Sequence, residues 1–136
     1  MKADAHIPAP RLPYRHLGPE VVTVLSEDDD PGATARYGAT VAAARELPLD
    51  LVLLSSRRED TAGCMAIMDR ALAAARAAFP GLEVRVHLDV EDLEEWLERR
   101  EAVADVQVLV AGPAAAMRVG GTPGRSRRRR RPVVVV

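Results

Sequence analysis

Two clusters in this chain carry groups able to hold a ligand: the acidic run Glu27, Asp28, Asp29, Asp30, and a glycine-punctuated segment from Gly112 through Gly120, Gly121 and Thr122. Adjacent carboxylates are hard oxygen ligands of the kind Mg2+ takes, and glycines let backbone N–H groups converge closely on a phosphate. Each cluster also has a plainer role, as a solvated turn before a helix or as a turn and helix stop, and the plainer role is the expectation for both. A third cluster, Arg125 with Arg127, Arg128, Arg129, Arg130 and Arg131, offers guanidinium groups to an anion or nucleic acid. No aromatic residues are interleaved with it as base-stacking platforms, so specific nucleic-acid recognition is not expected.

No nucleophile, base and acid can be assembled into a catalytic set. Serines are few, His6 and His16 sit in the N-terminal segment, and His87 stands alone on a strand, without metal-ligand spacing. The single lysine, Lys2, excludes any mechanism that needs an internal one. The lone Cys64 cannot form an internal disulfide, and its place on the apolar face of a predicted helix makes it an expected buried, inert thiol. An enzyme is therefore not expected, and neither is a metal site.

The elements that must position these groups are organised around Val106–Gly112, an apolar strand that runs into a tight turn with Pro113 behind it. Such a turn puts backbone N–H groups outside the carboxyl end of a strand, where open α/β sheets keep their ligands. Upstream, Val21–Leu25 is a short apolar strand, Pro31 suits a first helical position, and Ala33–Glu46 is an alanine-rich helix stopped by Pro48. Leu51–Ser56 is a second strand. Cys64, Ile67, Met68, Ala71, Leu72, Ala75, Ala78 and Phe79 then recur at helical spacing, with Asp60 or Thr61 as the cap and Pro80 and Gly81 as the end. Leu82–Leu88 alternates, placing Glu83, Arg85 and His87 on one wet face as an edge strand would. Asp89 is the expected cap of a third helix that buries Leu93, Trp96, Leu97 and Ala104. Pro113–Val119 is a helix of under two turns, and Val133, Val134, Val135 and Val136 form a last strand after the arginine run. Alternation of this kind argues for an open parallel sheet with helices on both faces.

Composition sets the bounds on this plan. The 136 residues suit one domain with a core of Val, Leu and Ala, preceded by a Pro-rich N-terminal arm over residues 1–19. No run approaches the roughly 18 apolar residues of a membrane span, and the first residues lack the apolar core of a secretory signal, so a cytoplasmic protein is expected. The net charge of −1 hides an asymmetry: residues 1–105 hold all 20 acids and 12 of the basic residues, whereas residues 106–136 hold seven arginines and no acid. The two parts should attract each other, or matching faces of other molecules.

Three passages, VVTVLSEDDDPGATARYGATVAAARELPLDLVLLSS, PGLEVRVHLDVEDLEEWL, and VLVAG with the terminal RPVVVV, resemble the universal stress protein family over most of residues 20–136. The resemblance implies a five-stranded parallel sheet of order 3-2-1-4-5, ATP binding in several members, and dimers joined through the fifth strand. It puts Ser26 where the family has a nucleotide-facing aspartate, and Gly112 at the first glycine of the phosphate loop. Ala115 stands at the second glycine, and Gly121 and Thr122 fit the final pair only after a deletion of about four residues. Pro113 removes an N–H donor, and the neighbouring acids repel an anionic ligand by roughly 1 kcal/mol per close pair in water. The expectation is a non-catalytic regulatory domain with ATP binding weakened or lost, dimeric through Val133 to Val136. ATP binding at Ser26, Gly112, Gly121 and Thr122 is the alternative, and anion or nucleic-acid binding through the arginine run a further one. A response-regulator receiver fits less well, because Ser55 replaces its phosphorylated aspartate, no lysine is available on the last strand, and a strand and helix would be missing.

Overall fold

The computed structural model describes residues 16–57, 59–88, 90–119 and 132–136. The strands β1 (Pro19–Ser26), β2 (Leu49–Leu54), β3 (Val84–His87), β4 (Asp105–Ala111) and β5 (Val133–Val135) form one parallel sheet of order β3-β2-β1-β4-β5. Between them run the helices α1 (Pro31–Arg45), α2 (Thr61–Ala78), α3 (Leu93–Glu101) and α4 (Pro113–Val119). Among the described residues no helix is long and apolar enough to cross a membrane.

The sheet is covered on both faces, which is why β1 and β2 read as continuous apolar runs rather than alternating ones. Val21, Leu25, Leu49, Leu51, Leu53, Val108 and Val110 pack against the alanines of α1 and Met68, Ala71 and Ala75 of α2. Val22, Val24, Val52, Leu54, Val106, Leu109 and Ala111 pack the other way, onto Leu93 and Leu97 of α3 and Ala115 of α4. The change of parity within β4 has a local cause. Glu20 pairs with Val106 but Val21 pairs with Val108, so Gln107 is an extra residue that re-phases the strand. α1 sits especially close to β1, because a Cβ at Gly38 would overlap the Thr23 hydroxyl.

Several expectations change in instructive ways. β1 begins at Pro19 and β2 at Leu49, which brings Glu20 and Asp50, both fully buried, into the sheet. The Pro31 helix starts where Asp30 caps it, earlier than Ala33, and ends at Arg45 with Glu46 as a left-handed cap at φ 58°. Asp60 is the cap of α2, as one of the two alternatives had it, but Cys64 is only half-buried and Ala78 is exposed. α3 is capped by Asp92, which accepts from Glu94 and Glu95 N–H, rather than by Asp89. Ala104 is buried, though it follows the helix instead of lying on it.

The expected wet face of β3 is the largest departure. Arg85 and His87 turn under α3, while Val86, expected inside, is 43% exposed at the rim. A helix lies across this face, so the polar side chains find buried carboxylates there instead of water.

Candidate functional site

The chain leaves β1 for a helix on one face and leaves β4 for a helix on the other, so a crevice opens between the carboxyl ends of these neighbouring strands. In open α/β sheets this switch point is where ligands sit. Ser26, Asp29 and Gly112 of the sequence-level candidates meet here. Gly121 and Thr122 lie outside the described residues, as do Arg125, Arg127, Arg128, Arg129, Arg130 and Arg131 and most of the N-terminal arm.

Ser26 is fully buried at the end of β1 and shapes the turn that follows. Its hydroxyl accepts from Asp28 N–H at 3.2 Å and its carbonyl from Asp29 N–H at 3.1 Å. That turn sends the acidic side chains in different directions. Glu27 crosses to β2's exit, accepting from the Ser56 hydroxyl at 2.7 Å and the Ser56 N–H at 3.2 Å. Asp30 caps α1 through Ala33 N–H at 3.1 Å, with Pro31 behind it as the helix's first residue. Asp29 crosses to α4, where its two oxygens accept from Ala114 N–H at 2.9 Å and Ala115 N–H at 3.0 Å. Among the described residues no cluster of three or more His, Cys, Asp or Glu is arranged to hold a metal ion.

The Asp29 contact decides what this crevice can do. A carboxylate receiving two backbone N–H groups at the start of a helix has the geometry and charge of a bound phosphate oxygen pair. Gly112 permits the approach, because a Cβ there would lie 2.5 Å from the Asp29 carboxyl. The missing side chain thus makes room for an internal anion. Ala115 is helical and fully buried, without left-handed strain. Each charge-assisted bond is worth about 1.5–3 kcal/mol, and an incoming phosphate would have to displace Asp29 and then face its charge.

Glu27 carries a pH signature. Burial opposes its charge, but the Ser56 hydroxyl and N–H, together with the Arg118 guanidinium, outweigh this and hold its carboxyl below the usual glutamate value of 4.5. A carboxyl held low stabilises the native state above its ordinary value, and this contribution is lost as pH falls through the folded value. Glu27→Gln is therefore expected to flatten the fall in unfolding free energy between about pH 5 and 3 in urea titrations. An acid limb as steep as that of the parent protein would show that the Ser56 contact does not form.

A second polar cluster, invisible in the sequence, lies under α3 toward the start of the strands. Glu20 and Asp50 are both fully buried on the same face of β1 and β2. Arg100 of α3 binds Glu20 through Nε at 2.7 Å and Nη2 at 2.9 Å, and reaches Asp50 at 3.2 Å. Arg85 adds contacts to Glu20 at 3.1 Å and Asp50 at 3.4 Å, and His87 Nε2 lies 2.8 Å from Asp50. Trp96 closes the cluster, its ring centroid 5.1 Å from His87 and 5.8 Å from the Arg100 guanidinium. Burial raises Glu20 against the pull of Arg100, whereas in Asp50 the His87 contact and the arginines overcome burial and lower it. Two carboxylates face two guanidinium groups here, so these four charges balance, which is the condition for burying them at all. His16 is exposed, and its Nδ1 accepts from Gly18 N–H at 3.1 Å.

No family model matches this chain, and no curated protein matches it either. Its structure is nonetheless similar to that of the universal stress protein from Archaeoglobus fulgidus in complex with dAMP, at 20% identity and a TM-score of 0.59 over 85% of this chain and 96% of the other. A second structure of the universal stress protein from Archaeoglobus fulgidus gives 21% identity and a TM-score of 0.59 over 88% and 93%. A universal stress protein in complex with cAMP gives 23% and 0.56 over 86% and 96%. The chain shares the fold of these proteins, including the sheet order that the sequence resemblance implied.

Proposed function

We propose that this chain is a universal-stress-protein-like regulatory module that acts through protein contacts without catalysis, its phosphate position taken by its own Asp29. The observation that carries this reading is the pair of hydrogen bonds from Ala114 and Ala115 N–H to that carboxylate. Glu27, which ties β1's exit to β2's, adds a second negative charge along the same sheet edge.

The solved neighbours in complex with dAMP and cAMP support the other reading, a nucleotide-binding module that would use Ser26, Gly112, Gly121 and Thr122. Calorimetric titration with ATP–Mg2+ and with dAMP separates the two. The present reading expects no heat at millimolar nucleotide, and micromolar binding of either ligand would favour the alternative.

The contact surface we assign is β5. Among the described residues it pairs with β4 alone, and Val133, Val135 and Val136 are between 42% and 54% exposed. An apolar, uncharged edge strand is a template for a second strand, and a twofold pairing of identical copies uses it up. Sedimentation is expected to show a dimer that becomes monomeric when Val133–Val136 are deleted. A monomer unaffected by the deletion would refute the assignment without touching the Asp29 argument.

A further inference from the structure

At the pole where the strands begin, far from the crevice, the ends of α1 and α2 frame an open cavity of about 530 Å3. Half-buried Leu47, Phe79 and Leu82 belong to its wall, and the exposed residues Glu46 and Glu83 line it as well. That volume falls within the roughly 300–1,000 Å3 of ligand pockets. Local hydrogen bonds fix the frame. Leu47 N–H donates to Ala42 O at 2.9 Å, Leu82 N–H to Phe79 O at 3.1 Å, and Leu49 N–H to Glu83 O at 3.0 Å. A frame held this way stands before a ligand arrives, which lowers the ordering cost of binding.

We propose that this cavity binds a small organic cation, an amine carried on an apolar or aromatic body, and discriminates against anions. Three observations of separate origin point to that class. The first is the balance of side-chain charge. Two carboxylates line the cavity, and among the described residues no lysine, arginine or histidine does. Arg85 stands behind Glu83, its Nε 3.9 Å away, but its guanidinium is engaged more closely by Glu20 at 3.1 Å and Asp50 at 3.4 Å.

The second is the backbone. α1 and α2, of 15 and 18 residues, both finish at this cavity, and a helix C-terminus carries the partial negative charge of carbonyls that have no partner within the helix. Pro80, in the wall, has no N–H to offer the Arg76 carbonyl four residues before it. Arg45 and Arg76, the basic residues of the two last turns, are exposed and take no part in the wall. The third is the wall itself. Leu47 and Leu82 suit an apolar body, and Phe79 adds an aromatic ring of the kind that attracts ammonium groups. An anion would meet both carboxylates and both helix ends with the wrong sign.

Titration of the full-length protein with tryptamine, tryptophol and indolepropionate, followed by NMR, tests the proposal, since these probes share an indole body and differ chiefly in the charge of the tail. Tryptamine is expected to shift the amides of Leu47, Phe79 and Leu82 and to leave those of Ala114 and Ala115 in place. It should bind about threefold to tenfold more tightly than tryptophol, and indolepropionate more weakly than either. Molar NaCl should narrow the gap between tryptamine and tryptophol without any substitution. Glu46→Gln with Glu83→Gln should bring it to about twofold or less, with the melting temperature unchanged because both side chains are exposed. No shift at millimolar tryptamine, shifts centred elsewhere, equal binding of the three probes, or a preference that neither salt nor the substitutions reduce would each overturn the proposal.

Discussion

Replacing Arg100 by alanine is expected to lower the unfolding free energy by about 3–5 kcal/mol, because it breaks a buried ion pair from one side only. Its guanidinium is 13% exposed and grips both oxygens of a Glu20 that water does not reach. Without it, the two buried carboxylates keep only Arg85 and the His87 ring, so one negative charge is left uncompensated in the interior. Glu20 feels the loss more, since burial already raises it and the Arg100 hydrogen bond is the strongest force opposing that. Removing both partners should cost far less. Arg100→Met with Glu20→Met leaves Asp50 beside Arg85 and His87, and an apolar pair can replace a buried ion pair at little net cost. Chemical denaturation of the parent, the single variant and the double variant gives the coupling. A single-variant loss under about 1 kcal/mol would mean the cluster is solvated rather than buried.

Leu51→Ala is expected to cost about 2–5 kcal/mol by the same measurement, for a different reason. Leu51 lies in β2 between two paired strands, fully buried among the side chains that α1 and α2 press onto the sheet. Truncation removes its transfer free energy and leaves a void that a sheet paired on both sides cannot close. A loss below about 1 kcal/mol would indicate a face able to collapse, contrary to the packing described.

The two substitutions mark what could and could not be read in advance. Leu51 was legible, because a run of Leu and Val too long and too apolar for a half-exposed strand means burial on both faces, and that in turn means a parallel sheet between helices. The helices followed from spacing, although α3 is capped by Asp92 and not by the expected Asp89, and the order of the strands followed from a resemblance to universal stress proteins. The Glu20–Arg100 cluster was not legible. Glu20 stands among the prolines before the first apolar run, Asp50 in the corner after Pro48, and Arg100 in a helix face crowded with exposed charge such as the Glu95–Arg99 pair at 3.3 Å. Each residue alone suits the surface, and only the pairing of β1, β2 and β3 under α3 brings them together. The one available signal was the alternation of Arg85 and His87, which marked a polar face without telling what covers it.

The acidic turn shows the same limit on a smaller scale. Glu27 through Asp30 look like repetition in the sequence, and their placement near the phosphate loop suggested repulsion of an anion at a distance. The structure is more specific. One carboxylate caps α1, one ties β1's exit to β2's, and one accepts from two N–H groups at the start of α4. Gly112, legible as a ligand-loop glycine, serves the protein's own side chain.

The most direct test of that substitution is to follow the amide signals of Ala114 and Ala115 while dAMP is added to millimolar concentration. If Asp29 holds both N–H groups, the two signals stay where they are. If they shift together with saturation at micromolar nucleotide, the carboxylate has been displaced and the crevice is a nucleotide site after all.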